Sequence, residues 1–595
     1  MKKFKSITLA VLLAVSFLAT STHASDINAD VPAEKDSFAS SSVITDALRD
    51  RLDGAADDER IPVTIELIDD IDLENVERQA ISRAKLSKTQ LEIINTDTSS
   101  FSEEVNEVHQ QAVMDVREEI SFERNAILKE HYTEKNAEFM EAADIPEDIC
   151  GSVGILTPFI RDVLLTPAQI RKLAVNPDVR YIDYLGEGKL QDFASVDDTY
   201  AIVNGDVAVN AGYTGSGIRV GVIETGHPKL GLMGNDFKSI IKTNSGEDSD
   251  HATRVCGIIR KMAPACILYS RTASSTSEAL NNCSYLIDKY NVSIINLSCG
   301  ETGDGKYNAY SREMDNIVNG TKVTIVASAG NGKADSQYIN QLGLSANVIT
   351  VGAVISAGKN PGATGAFMLT DYSLYREAVN VVNKPDVCAP GKVSIYSLGE
   401  AVGTSFAAPH VTGAVVQMIA RDSNMKEKPE SLKAAVMASA SYNAGSSMSY
   451  VMGTRASDQE GAGVLDAGFC YRTAKNSRLT FYKATSSSTI FNYNIYCDYT
   501  TLPVRLACVW NALSANGTTN ITDYDVYVYK DGTLIASSTG YSNASSLPRT
   551  NFEIIEIPQA TISKYGRGYY NVQIKRVGSF KGEGDVMIGF AWEQR

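Results

Sequence analysis

Four apolar, β-branched runs of strand length recur through the middle of the chain: Ile218–Ile223, Val292–Leu297, Val323–Ala327 and Val348–Val354. Polar residues do not alternate within them, so each strand must be covered on both faces. Segments of helical character, such as Glu278–Tyr290 and Phe406–Arg421, separate the runs. Continuously apolar strands alternating with helices predict an α/β domain over residues 191–475, a parallel sheet with helices on both faces.

The flanks follow other rules. Residues 25–60 are acidic, rich in Ser, Ala and Asp, and read as a flexible leader. Ile61–Ile68 alternates like a strand, and Leu73–Ala142 is charged, almost free of Gly and Pro, with apolar residues at helical intervals. Val153–Thr166 resumes strand alternation. Thr166-Pro167 then suits the start of a short helix, and Val179–Leu185 is a closing strand. The pattern β-α-β-β-α-β makes residues 61–190 a two-layer α+β module with a long helical insertion. Residues 476–595 are short strands rich in Tyr, Thr and Ser, with turns at Asn516-Gly517 and Asp531-Gly532, which predict an all-β sandwich.

Charge divides the chain in the same places. Of the net −16, residues 25–190 hold 36 acidic against 17 basic side chains, while residues 191–595 are balanced. Nothing has the basic footprint of a nucleic-acid binder. Residues 1–24 carry Lys2, Lys3 and Lys5, an apolar run from Ile7 to Ala19, and the small-x-small triplet Thr22-His23-Ala24. That is the pattern of a secretory signal peptide, and no internal stretch approaches the ~20 apolar residues of a membrane span. Export permits disulfides among the nine cysteines, but several of them, such as Cys256 and Cys388, sit inside apolar runs where a buried thiol fits equally well.

With six histidines in all, a search for a general base is short: His23 lies in the signal, His109 and His131 in the acidic segment, and His227, His251 and His410 in the α/β portion. Around these last three are VGVIETG (220–226), HATRVCGI (251–258) and GTSFAAPHVTG (403–413). Ser405 follows a tight turn and opens an Ala-rich helix, where free N–H groups and the positive dipole end stabilise a developing oxyanion. On this motif alone, a nucleophile and a simple helix cap are both open readings.

Gly403–Gly413 resembles the serine motif of the subtilisin-like serine proteases, the subtilases, at nearly every position. His251–Gly257 is similar to their histidine motif, Ile223–Gly226 to their aspartate motif, and Ala327–Asn331 (ASAGN) to the strand end that carries their oxyanion asparagine. Lys384–Gly391 and Gly461–Ala467 are further family-like stretches, in the family's order. The resemblance implies Ser405 as nucleophile, His251 as general base, Glu224 as the triad acid, and Asn331 with the Ser405 N–H as oxyanion hole. It implies pocket walls at Ser298, Cys299 and Gly300 and at Ser328, Ala329 and Gly330, and their small size predicts room for a bulky substrate side chain. His227 and His410 are read as structural.

Two departures matter. Glu224 stands where the family has Asp, and Arg254 where it has a second histidine, placed to pair with Glu224. A carboxylate one methylene longer still orients a histidine, but a displacement of about 1 Å costs around 10²-fold in rate. Residues 61–190 resemble the family's propeptide, an intramolecular inhibitor, with Gly186–Thr199 as the cleavage region. Leu502–Trp592 resembles an appended β-sandwich. The expectation is a bacterial secreted endopeptidase acting on polypeptides and activated by propeptide removal, with no cofactor and no metal. The alternative is a catalytically silent subtilase fold that binds polypeptide or surface ligands.

Overall fold

The computed structural model describes residues 43–94, 103–184, 201–334, 337–356, 367–378, 383–440, 459–474, 478–513, 521–539, 550–580 and 586–594. The signal segment 1–24, the leader as far as residue 42, and the cleavage region 186–199 lie outside them. The described residues belong to one compact unit beginning at Ser42.

The first elements are α1 (Asp46–Asp53), β1 (Ile61–Leu67), α2 (Leu73–Arg83), α3 (Lys88–Ile93) and α4 (Glu103–Ala142). After them come β2 (Ser152–Val153), β3 (Phe159–Leu165), α5 (Pro167–Leu173) and β4 (Val179–Asp183). The strands form one sheet in the order β2-β3-β1-β4, with β1 antiparallel to both β3 and β4. Thr166 caps α5 in a reciprocal capping box with Gln169, and Pro167 occupies the first turn. The flexible leader expected over 25–60 is corrected from residue 43 onward. Ile44 bridges Ile182, and α1 buries Leu48 and Leu52. Ile44, Leu48 and Leu52 recur every four residues on one face, a stripe that the surrounding acidic residues mask in the composition. The helical insertion is led by α4, whose 40 residues span about 60 Å.

The central domain runs through α6 (Asp206–Asn210), β5 (Arg219–Glu224), β6 (His227–Pro228), β7 (Ile240–Lys242), β8 (Asp248–Ser249), α7 (Asp250–Met262) and β9 (Ile267–Thr272). It continues with α8 (Thr276–Tyr290), β10 (Ile294–Leu297), α9 (Ala309–Thr321), β11 (Thr324–Ser328), β12 (Ile349–Ser356), β13 (Phe367–Leu369), β14 (Val387–Pro390), β15 (Lys392–Ser394) and β16 (Glu400–Val402). Helices α10 (Thr404–Arg421), α11 (Pro429–Ser439) and α12 (Ala467–Thr473) complete it. The large sheet has the order β13-β12-β11-β10-β5-β9-β7, with β14 beside β12. Its ladders are parallel except β12 with β13. One face packs on α7 and α10 and the other on α8 and α9, which is why the strands are apolar throughout. Helix α10 is buried from Thr404 to Ile419, as its Ala-rich sequence demands.

The C-terminal part is a sandwich of two antiparallel sheets. One is built from β17 (Leu479–Ala484), β19 (Val504–Trp510), β22 (Phe552–Ile557) and β24 (Val586–Gln594) in the order β17-β24-β19-β22. The other has β18 (Ile490–Cys497), β20 (Asp523–Lys530), β21 (Thr533–Ser538) and β23 (Gly568–Val577) in the order β18-β23-β20-β21. Asp531 and Gly532, both with positive φ, make the tight turn between β20 and β21. Strands β19 and β24 of the first sheet are buried on both sides, because their outer face lies on α11. At Gly589 even a Cβ would come within 2.4 Å of the Ser431 nitrogen. No disulfide joins any of the nine cysteines, and all but Cys150 are buried, so the thiol reading of their apolar settings is the one realised.

Candidate active site

Parallel strands carry their C-terminal ends to one edge of the sheet, and the sequence places polar residues there. Strand β5 ends on Glu224, which is fully buried. Ser249 caps α7 by accepting the Ala252 N–H at 3.0 Å, which sets His251 in the helix's first turn. From there His251 Nδ1 lies 2.8 Å from Glu224 Oε2, so the extra methylene of glutamate is accommodated. A carboxylate at Nδ1 holds the proton on that nitrogen and leaves Nε2 able to accept one.

Ser405 lies in the first turn of α10, 4% exposed, and the neighbouring Phe406 ring meets the His251 ring at 5.0 Å between centroids. Asn331 is fixed by the residue on the other side of Ser405. Its Oδ1 accepts from the Thr404 backbone N–H at 2.8 Å and from Thr404 Oγ1 at 3.1 Å. Thr404 Oγ1 accepts in turn from the Gly330 N–H at 3.1 Å. With Oδ1 so engaged, the Asn331 amide presents its Nδ2 donors elsewhere. A Cβ on Gly403 would come within 3.3 Å of that nitrogen, a tight contact.

The other polar groups near these motifs are held by structural bonds. Arg254 donates from Nη2 to the Leu398 carbonyl oxygen at 2.7 Å. His227 is buried with both ring nitrogens engaged, Nε2 at 2.9 Å from the Asn244 carbonyl and Nδ1 at 2.8 Å from Ser270 Oγ. Burial lowers its pKa. His410 lies inside α10 with Nδ1 on the Phe406 carbonyl at 2.8 Å, and burial pushes it down to about 4. In the Lys384–Gly391 stretch, Asp386 bonds Lys384 and Lys433 at 2.7 Å each and accepts from the Thr350 N–H, which ties β12 to α11. Among the described residues, the ligand atoms of Asp69, Asp70 and His131, in the N-terminal part, gather as a metal would require. Asp69 there accepts from Tyr132 and Asp70 pairs with Lys135.

Ser298, Cys299 and Gly300 leave the end of β10, and Ser328, Ala329 and Gly330 leave β11, so the two wall segments are neighbours on one sheet edge. A residue that sequence reasoning did not single out lies beside both. Asn340, 1% exposed, takes the Ala329 carbonyl with its backbone N–H at 3.0 Å and the Ser328 carbonyl with Nδ2. Its Oδ1 accepts from the Gly343 N–H at 2.8 Å, and its side chain stands 2.8 Å from where a Gly300 Cβ would be. Two adjacent polar residues, Asn340 and Gln341, in the otherwise apolar stretch Tyr338–Leu344 were the available signal.

A parallel α/β sheet with a carboxylate–histidine pair, a helix-opening serine and an anchored asparagine at one edge is the architecture of a nucleophilic hydrolase. The comparisons make this specific. The profile of the Subtilase family matches residues 215–463. Subtilisin of Bacillus pumilus is 30% identical over 239 residues, covering 35% of this chain and 79% of the relative. Subtilisin NAT of Bacillus subtilis subsp. natto is 28% identical over 283 residues, 42% of this chain and 68% of the relative. The chain belongs to the subtilase family, whose members are serine endopeptidases. Among solved structures, fervidolysin from Fervidobacterium pennivorans, described as a keratinolytic enzyme related to subtilisin, is similar over 85% of this chain and 70% of its own, with TM-score 0.43 and 14% identity. Among the described residues no helix is long and apolar enough to cross a membrane.

Proposed function

We propose that this chain is a secreted serine endopeptidase working through a Ser405–His251–Glu224 triad. The observation that carries the reading is the 2.8 Å contact of Glu224 with His251 Nδ1, beside an Asn331 bonded to the residue preceding Ser405. Ser405 Oγ attacks the scissile carbonyl carbon and passes its proton to His251 Nε2. Asn331 Nδ2–H and the Ser405 N–H bind the oxyanion of the tetrahedral intermediate. Collapse returns the proton to the leaving amine and leaves an acyl-enzyme, which water hydrolyses by the same route. The residue before the scissile bond enters between Ser298–Gly300 and Ser328–Gly330, with Asn340 limiting its size, and extended substrate adds as a strand.

Residues 1–24 act as the export signal and 61–190 as a propeptide. Cutting within 186–199 and clearing the propeptide's end from the cleft opens the site. The sandwich, 476–595, stabilises the catalytic domain, 191–475, through the α11 seam. The test is fluorophosphonate labelling together with intact mass of the wild-type protein and Ser405→Ala, both expressed in a protease-deficient host. Labelling and processing near 186–199, both lost in Ser405→Ala, are expected. An unlabelled wild-type chain of full length overturns the reading in favour of a silent, polypeptide-binding subtilase fold.

A further inference from the structure

The two sheets of the C-terminal sandwich have different surroundings. One lies between the sandwich core and α11, whereas β18-β23-β20-β21 packs on the core with one side and exposes the other. Alternation along the strands separates the two sides. In β18, Ile495 and Cys497 are buried while Asn492, Asn494 and Tyr496 are exposed. In β23, Tyr570, Val572 and Ile574 are buried while Tyr569 is 66% exposed.

Register then puts like opposite like on the outer side. Tyr496 stands across from Tyr569, Asn494 from Asn571, and Asn492 from Gln573. The tyrosine rings meet edge to face, with 4.9 Å between centroids. Asn571 Nδ2 donates to Asn494 Oδ1 at 3.1 Å, which leaves the Asn494 donors and the Asn571 carbonyl oxygen unused. Asn492 and Gln573 make no side-chain hydrogen bond among the described residues. The three rows span four residues of strand, about 14 Å. A single exposed tyrosine needs no explanation, but a matched pair continuous with a block of four amides is a patterned surface.

Charge is kept to one end of this surface. On the outer side of β18, β23 and β20 the charged residues are Lys575, Asp525 and Asp523, beyond Gln573, with Lys575 opposite Asp525. Lys575 also lies over the Tyr527 ring, its Nζ 4.4 Å from the centroid. The occupant complementary to the tyrosine and amide rows is therefore uncharged. Amides that both donate and accept are matched by hydroxyl groups, which do the same. Tyrosine rings are matched by a rigid, apolar face. Pyranose units meet all three conditions, with ring C–H groups for the tyrosines, hydroxyls for the amides and no charge. A protein partner calls for an apolar centre and an anionic bilayer for basic residues, whereas the centre here is four amides.

We propose that the outer side of β18 and β23 binds a neutral polysaccharide, its rings stacked on Tyr496 and Tyr569 and its hydroxyls held by Asn492, Asn494, Asn571 and Gln573. The sandwich then joins the catalytic domain, through α11, to a carbohydrate surface. This binding does not depend on the chemistry at Ser405.

The test is retention of the full-length Ser405→Ala chain on amorphous cellulose, xylan, mannan, starch and chitin, with gelatin coupled to a resin as the protein arm. Retention on at least one polysaccharide, equal at low and high salt, is expected. Retention on none of them, on gelatin alone, or only at low salt overturns the proposal. Tyr569→Ala and Tyr496→Ala are each expected to weaken binding to the retaining polysaccharide by about 10-fold, the scale of one stacked aromatic contact, with thermal midpoints unchanged. Binding equal to the parent's in both variants overturns the assignment to this face. Should a tyrosine variant not fold, Gln573→Ala supplies the same comparison, weaker binding supporting the face and equal binding overturning it. Fluorophosphonate labelling plays no part in these measurements, so their failure and that of the endopeptidase reading are told apart.

Discussion

The two edges of the central sheet are made from the same strands and have opposite characters. At the C-terminal edge, Glu224, Ser298–Gly300 and Ser328–Asn331 gather polar and small residues, the ones proposed to carry the chemistry. At the N-terminal edge, Arg219, Asn291 and Thr321–Lys322 are met by Glu118, Ser121, Arg124 and Glu77 of the N-terminal segment. Strand direction accounts for the first edge, whereas the second depends on a segment distant in sequence. The comparison teaches that the proposed catalytic groups gather at one end of the sheet while the Arg124 cluster holds the other, so a substitution in either should leave the other's property intact.

The sharpest break is Glu224→Gln. With the carboxylate gone from His251 Nδ1, kcat/KM for a peptide substrate is expected to fall by about 10⁴-fold, with the thermal midpoint nearly unchanged. Glu224→Asp keeps the charge but shortens the reach, and a loss of about 10²-fold is expected. Full activity in Glu224→Gln would remove Glu224 from the triad. Asn331→Ala is expected to cost 10²–10³-fold in kcat, roughly the loss known for an oxyanion donor removed from subtilisin; a change confined to KM would place Asn331 outside the oxyanion hole.

At the opposite edge, Glu427→Gln deprives Arg124 and Arg117 of a carboxylate. About 3 kcal/mol of stability in urea unfolding should be lost while fluorophosphonate labelling of Ser405 persists. Equal losses of both properties would erase the distinction between the edges. Asn340→Ala is a smaller effect at the active edge: the ratio of kcat/KM for Phe over Ala before the scissile bond is expected to rise about 10-fold, and an unchanged ratio would show that Asn340 does not bound the pocket.

The mildest expected effect is of pH on the Arg124 cluster. Burial raises the Glu77 carboxylate, but Arg124 and Lys322 outweigh burial and hold it at about 2. Exposed in the unfolded chain it titrates near an ordinary value of about 4.3. Protons therefore favour the unfolded form, so Glu77's contribution is complete above the ordinary value and is lost as pH falls toward about 2. Stability in urea unfolding followed from pH 6 to pH 3 should fall, and less so in Glu77→Gln. Burial raises Glu66 even though Arg312 opposes it, so that group pulls in the other direction and moderates the change.

The motif residues now proposed for the site were legible in the sequence. His251, Ser405 and Asn331 stand in recognisable surroundings, and the structure sets Glu224 against His251 and Asn331 against Thr404. The parallel sheet was legible because strands buried on both faces leave a continuous apolar trace. Asn340 was not, since a residue that fills a gap needs only size and a few bonds to nearby carbonyls. Helix α1 was hidden by the acidity around Leu48 and Leu52. The partners of α4 were hidden for another reason: its helical pattern shows an apolar face without saying that Ile317 and Val318 cover it.

That shared core has a consequence for how the chain is made. Leu128 leaves the ribosome roughly 190 residues before Gly320, the residue it packs on, which at about 5–20 residues per second is an interval of about 10–40 s. Through that interval the part of α4 that α8 and α9 cover lacks its native neighbours, although α2 already lies on another part of it, and closing so long a loop is slow. The nascent protein must be shielded or kept unfolded until more than half of it has been synthesised, and an expression host that cannot do so is expected to yield aggregates of an otherwise sound sequence.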